Sequence, residues 1–327
     1  MATVSWDGTV RIWNDTGETL QILNEVELQG SCIAWSPDGT QIAAGGGNRC
    51  ATFWETSNWN PVAILRGDTT NVLTVAWSPD GDAIAAATES GVIRIADSRP
   101  NARLFQESVL AGTAGSGFDI TPDGQYATCD QQRVARVWNR DGSSREFTEA
   151  IETADQRKAI PPANRMKFSP DGSQILVTDA VDNQVRVWDV HSGELANSFE
   201  AIDTVYSADW HPDGKQIACS GWSWTMVWDS ETGKTLQCPD KGARTWVCRW
   251  SRDGNVLASS GDNQGRVWNP TTGEVVTFPC DAFGISWNSD GTQLVTAETD
   301  GVARIRNSSD GTVVRELAGH AGPLRSV

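Results

Sequence analysis

A chain of 327 residues with 39% hydrophobic and 21% charged side chains has a globular composition and the length to bury a large core. Its formal net charge of -16 opposes a nucleic-acid backbone as a direct partner, because such binding needs clustered Lys and Arg. The 7 Cys stand singly without a CxxC pair, and neither a basic-then-apolar leader nor a run near ~18 apolar residues occurs, so reduced thiols in the cytoplasm are expected, without disulfides, zinc or membrane.

Gly (31) and Trp (16) are abundant, which points to a turn-rich all-β chain. In chain order, "ATVSW" opens an alternating strand, turns through "SWDG" into "VRIWN", and continues into the more polar "ETLQIL". "SCIAW", "SPDG", "QIAAG" and "ATFWE" follow, and from here the pattern repeats. The tetrad stands as "SPDG" at 36–39, 78–81 and 169–172, "TPDG" at 121–124, "HPDG" at 211–214, "SRDG" at 251–254 and "NSDG" at 288–291. Its aspartates, Asp38, Asp80, Asp123, Asp171, Asp213, Asp253 and Asp290, are 42, 43, 48, 42, 40 and 37 residues apart. Each tetrad has tight-turn chemistry: a Ser or Thr bonds the backbone, Pro presets φ, and Gly takes the strained last corner. Before the later turns stand "LTVAW", "GFDI", "RMKF", "SADW", "VCRW" and "GISW". Third strands end in Trp plus an acid or amide, as in "ARVWN", "VRVWD", "TMVWD" and "GRVWN", and a polar fourth strand such as "GELANSF" closes the unit. Four short antiparallel strands in ~42 residues make a propeller blade.

The repeat length, the Trp-Asp and Trp-Asn endings and the single "GH" at 319–320 resemble the WD-repeat (WD40) β-propeller family along the whole chain. The resemblance implies one all-β domain over residues 1–327. Third-strand endings number eight, at Trp13, Trp54, Ala96, Trp138, Trp188, Trp228, Trp268 and Arg306, whereas first strands with a tetrad number seven. The eighth first strand is then "GPLRSV", and "ATVSW" is the second strand of the same blade. We therefore predict an eight-bladed propeller closed by a blade shared between the two ends, with seven blades plus a half-blade as the alternative. Ala96 and Arg306 replace the usual Trp, so their blades must pack differently.

The resemblance also implies a buried network joining the His of "GH" to a second-strand hydroxyl, a turn Asp and the third-strand Trp, here His320, Ser5, Asp7 and Trp13. The equivalent His positions hold Val26, Asp68, Ala111, Ala159, Ala201, Lys241 and Phe278, so the split blade alone keeps it and the network is expected to latch the ring. His320, Ser5 and Asp7 superficially resemble a hydrolase triad, but no nucleophile elbow, phosphate loop or metal-ligand spacing accompanies them. His191 and His211 fall in turns, and "GGGN" at 45–48 reads as a structural turn. A non-enzyme without cofactor or metal is expected.

By the same resemblance, the residue opening each first strand faces the central channel on the loop face. These residues are Ser31, Leu73, Ser116, Asn164, Tyr206, Trp246, Phe283 and Arg325. The last four, with Trp6, Trp222 and Trp224 in nearby turns, form a candidate partner-binding arc, since Trp, Tyr and Arg dominate binding hot spots. The insertion "TEAIETADQRKAIPPAN" lies on the same face and either rims the site or decorates it. The leading expectation is a scaffold that binds a protein or peptide, as a monomer or in a hetero-complex. A regulatory or sensor propeller cut from a longer signalling protein is the alternative, a small-ligand propeller lacks candidate residues, and a modified-lysine reader is a subcase of the first.

Overall fold

The structure, a computed structural model, describes every residue except 25–29, 48, 67–69, 79, 89–91, 98–116, 122–123, 130–134, 140–142, 148–165, 179–181, 223 and 239–243. Eight antiparallel sheets make up the ring, and none of the described residues is helical. Blades 1 to 7 cover residues 30–66, 72–97, 117–147, 166–200, 205–237, 245–278 and 282–317. Blade 2 shows three strands and the other sheets four; residues 98–116, which follow blade 2, lie outside the described residues. The insertion within 148–164 and the candidate positions Ser116 and Asn164 also lie outside them.

Blade 8 joins the two ends of the chain, with strand order Thr19–Leu23, Val10–Trp13, Ala2–Ser5 and Leu324–Ser326. Val4 pairs with Ser326 and Ser5 with Leu324. The architecture is thus the eight-bladed β-propeller with a split blade, and the ring of seven with a half-blade is excluded. Closure pairs what would otherwise be an exposed strand edge.

The tetrads form the expected turns. The φ angles of Gly39, Gly81, Gly124, Gly172, Gly214, Gly254 and Gly291 are 71, 75, 83, 74, 75, 75 and 71°, a region that costs a side-chain-bearing residue strain. In the first turn the Gly39 amide donates to Ser36 O at 2.9 Å and the Ser36 hydroxyl to Asp38 Oδ1 at 2.7 Å. Blades are stitched where the first strands meet the turns: the indoles of Trp77, Trp210 and Trp287 donate to the carbonyls of Ala34, Lys167 and Arg249 one blade back, at 3.2, 2.9 and 3.1 Å.

Both faces of a blade are buried against its neighbours. On one side of blade 8, Val4, Val10, Ile12 and Leu23 pack with Ile42, Ala44 and Trp54 of blade 1. On the other, Trp13 and Leu324 pack with Ala297, Ala303 and Leu317 of blade 7. A Cβ on Gly30 would stand 2.3 Å from Val4 Cγ2, so the first strand of blade 1 approaches blade 8 as closely as only glycine permits. Of the two departures from the third-strand Trp, Arg306 is buried, while the Ala96 side chain lies outside the described residues.

Candidate functional site

Among the described residues, those that open the first strands share one backbone device. In blade 6, Thr245 pairs with Gly261 and Val247 with Ser260, leaving Trp246 as the extra residue of a β-bulge. Tyr206 in blade 5 and Phe283 in blade 7 are bypassed in the same way. So are Ser31, Leu73 and, in the split blade, Arg325. A bulge re-aims the side chain that loses its ladder position. Ser31, Leu73, Trp246, Phe283 and Arg325 accordingly line the mouth of a central cavity of about 610 Å³.

Four consecutive blades thereby present one continuous arc. The rings of Tyr206 and Trp246 lie 5.0 Å apart between centroids, and those of Trp246 and Phe283 6.1 Å apart. The Arg325 guanidinium lies 4.1 Å from the Phe283 ring centroid and 3.8 Å from that of Trp6. Burial lowers its pKa from the ordinary value. A second cation, Arg244, lies 3.8 Å from the Trp222 centroid and 4.7 Å from that of Trp246. Trp6 and Trp222, at 40% and 51% exposure, are the most exposed tryptophans among the described residues. Asp262 steadies the arc by accepting the Trp246 indole N–H at 3.0 Å, with Arg244 Nε 3.9 Å from its other oxygen.

Trp224 departs from the expectation. It is 3% exposed and packs edge-on against Trp228, with centroids 6.3 Å apart. It pairs with Gly221 at the start of the strand Trp224–Asp229, whose first five residues are all buried, so it is not available to a partner. Arg244 was not singled out in the sequence, although it stands two residues before Trp246; nothing local reveals that it reaches across to Trp222.

The closing blade brings His320, Asp7 and Trp13 into one network, with a different hydroxyl at its centre. Trp13 Nε1–H donates to Thr3 Oγ1 at 2.8 Å, and Thr3 Oγ1 stands 2.8 Å from His320 Nε2. His320 Nδ1 faces Asp7 Oδ2 at 3.1 Å and Thr9 Oγ1 at 3.0 Å. Ser5, two residues from Thr3 on the same strand face, instead donates to the carbonyls of Gly322 and Pro323 at 2.9 and 3.1 Å. The sequence pattern did not separate these two hydroxyls. The His320 side chain is fully buried, and burial lowers its pKa against the raising effect of Asp7. For Asp7, burial alone would raise the carboxyl, but hydrogen bonds from Thr9 and Ala321 prevail and hold it below its ordinary value.

A neutral imidazole with its proton on Nδ1 gives every contact one donor and one acceptor: indole to Thr3, Thr3 to Nε2, Nδ1–H to Asp7. Ser5 lies outside this relay, so His320 has no serine hydroxyl to activate. A triad geometry is not present.

The model of the WD domain, G-beta repeat, matches residues 1–14, 27–55, 59–97, 160–189, 193–229 and 231–269, more than half of the chain. The chain belongs to the WD-repeat family. Among its relatives is the anaphase-promoting complex subunit cdc20 of Dictyostelium discoideum, 25% identical over 220 residues that make up 65% of this chain and 42% of that protein. Cell division cycle 20.1, cofactor of APC complex, of Arabidopsis thaliana is 24% identical over 66% of this WD-repeat chain and 48% of its own. Protein groucho of Drosophila melanogaster is 26% identical over 57% of this chain and 26% of its own. The chain therefore spans less than half the length of each of these relatives.

Proposed function

We propose that this WD-repeat propeller is a non-enzymatic scaffold that binds a protein or peptide segment across the arc Tyr206, Trp246, Phe283, Arg325, Trp6 and Trp222. The observation that carries the reading is the set of bulges: four adjacent blades turn three aromatics and an arginine out of their ladders, with Trp246, Phe283 and Arg325 lining one cavity and Tyr206 against the Trp246 ring. Trp, Tyr and Arg are the residue types from which binding hot spots are built. The relatives named for a subunit and a cofactor of a protein complex support a partner that is itself a protein.

The site chemistry favours binding over catalysis. Burial pushes the thiol of Cys32, which lines the cavity, up to about 12, far from a nucleophilic thiolate at neutral pH. A cytoplasmic protein acting as a monomer or within a hetero-complex is part of the same proposal. A regulatory propeller within a longer protein is the second reading, favoured by the short span of the relatives that it covers. A coding sequence that runs on past Val327 into a further domain would favour it.

The direct test is affinity capture with mass spectrometry, comparing wild type with a Tyr206→Ala/Trp246→Ala/Phe283→Ala variant. These side chains are half-exposed, so the variant should keep its fold by circular dichroism while losing its partners. Equal retention of partners by the folded variant would refute the arc as the site.

A further inference from the structure

The arc is not a bare aromatic surface. Two of its members are cations, and each lies over two rings: Arg325 over Trp6 and Phe283, Arg244 over Trp222 and Trp246. The negative face of an aromatic ring is what attracts a ligand cation. Here the faces of four rings are already engaged by the protein's own guanidiniums. An incoming Lys, Arg or methylated lysine would meet occupied faces and like charge, which argues against the modified-lysine subcase.

A guanidinium stacked on a ring keeps its N–H edge free, in the plane where a carboxylate accepts two parallel hydrogen bonds. Arg325 has no ion-pair partner among the described residues. Arg249, which lines the same cavity from blade 6, has none either; its Nη1 donates to Cys248 O at 2.9 Å and approaches Ser207 Oγ at 3.4 Å. The other charged side chains lining the cavity are Lys167, paired with Asp209, and Asp119. Asp119 Oδ2 accepts the Phe168 amide at 2.8 Å, and burial raises its carboxyl's pKa. Two guanidiniums without an ion-pair partner among the described residues therefore line the cavity, in a protein whose formal net charge is -16. The net acidic field attracts basic partners at long range, so the preference for a carboxylate rests on the local cationic focus at contact.

We propose that the occupant of the arc is an acidic peptide segment, laying apolar side chains on Tyr206, Trp246 and Phe283 and directing a Glu or Asp carboxylate to Arg325 at the channel mouth, with Arg249 beneath it. This rests on the arc being the binding site, and the test separates the two. A phage-displayed library of random dodecapeptides is selected on the wild-type protein and counter-selected on the Tyr206→Ala/Trp246→Ala/Phe283→Ala variant. The affinity of the leading peptide is then measured by fluorescence anisotropy against Arg325→Gln and Arg325→Lys, each checked for folding by its melting curve.

The expected result is arc-dependent peptides enriched in Asp and Glu beside apolar residues. The leading peptide should bind roughly tenfold more weakly to Arg325→Gln, with partial rescue by Arg325→Lys, which keeps charge but loses the two-pronged hydrogen bond. Arc-dependent peptides that are basic or uncharged, or that bind Arg325→Gln as well as wild type, would overturn the acidic occupant and leave the arc standing. Enrichment of no arc-dependent peptide would overturn both.

Discussion

At the residue scale, His320 is the most consequential polar group of the closing blade. It is fully buried, and its two ring nitrogens are engaged by Thr3 on one side and by Asp7 and Thr9 on the other. Replacing it with Ala leaves the Thr3 hydroxyl and the Asp7 carboxylate short of a partner, and the expected loss in stability is about 1–3 kcal/mol. Thr3→Val should cost a similar amount, and the double variant less than the sum, with a coupling near 1 kcal/mol in denaturant melts. An unchanged midpoint for His320→Ala would remove the latch from the account. The same residue sets a pH dependence. Unfolded, the imidazole titrates near 6.5; folded, burial and Arg11 keep it neutral to lower pH in spite of Asp7. The unfolded chain takes up the proton first, so stability is full above about pH 6.5 and declines as pH falls below it. Urea melts of wild type and His320→Gln between pH 7.5 and 5 should show a shallower decline in the variant; parallel curves would contradict this. A second window opens at lower pH. The Ser36 hydroxyl and the Thr40 amide hold Asp38 below its ordinary 3.8, and Asp171 and Asp253 are held likewise by Ser169 and Ser251. These turns favour the native state above that value and lose the contribution as pH falls through the lower folded values.

At the scale of the single blade, the same register accepts different chemistry. In blades 3 and 8 the third-strand indole donates to a threonine on the second strand, Trp138 to Thr128 at 3.1 Å and Trp13 to Thr3 at 2.8 Å. In blade 7 the equivalent pair is Arg306 and Thr296, and a carboxylate mediates between them. Glu298 Oε1 accepts from Arg306 Nη2 at 2.9 Å and from Thr296 Oγ1 at 2.8 Å, while Arg306 also donates to Pro279 O at 3.0 Å and stacks on Phe278 at 4.7 Å. A buried ion pair is costly to break because it leaves a charge without its partner. Arg306→Ala should therefore destabilise by about 2 kcal/mol, moderated by Arg304, which also pairs with Glu298. Arg306→Trp combined with Glu298→Ser rebuilds the pattern of blade 8 and should recover most of that loss in thermal melts. A double variant no more stable than Arg306→Ala would show that the surroundings of Phe278 are shaped for the guanidinium.

At the scale of the whole molecule, the ring depends on a blade whose strands come from opposite ends of the chain. Leu324 is wholly buried, and the C-terminal strand covers the edge of Ala2–Ser5. A chain ending at residue 318 lacks that strand and His320 together, which exposes one flank of blade 8 and the cavity wall formed by Arg325. Such a chain should melt at lower temperature and self-associate through the bared edge, as read by size-exclusion chromatography with light scattering. A monomeric chain with an unchanged midpoint would mean that the seam contributes little. The same seam supplies Arg325 to the arc, so ring closure and the candidate site share one element.

The sequence by itself determined the architecture, because it is written in local terms. Tight-turn tetrads at near-constant spacing, period-2 strands and a Trp at a fixed place in each unit prescribe blades, and an unequal count of first and third strands prescribes a blade made from two ends. It also marked Tyr206, Trp246, Phe283 and Arg325 as equivalent positions. What only the tertiary structure decided concerns contacts between units, which no local pattern encodes. Strand alternation gave Thr3 and Ser5 equal claims on His320, and only the seating of the C-terminal strand assigned one to the imidazole and the other to backbone carbonyls. Trp222 and Trp224 read alike in "GWSWT", yet the ladder buries one and leaves the other in solvent. The guanidiniums that lie on the arc's rings reach between neighbouring blades, Arg244 to Trp222 and Arg325 to Phe283, and that meeting exists only once the blades are seated in the ring.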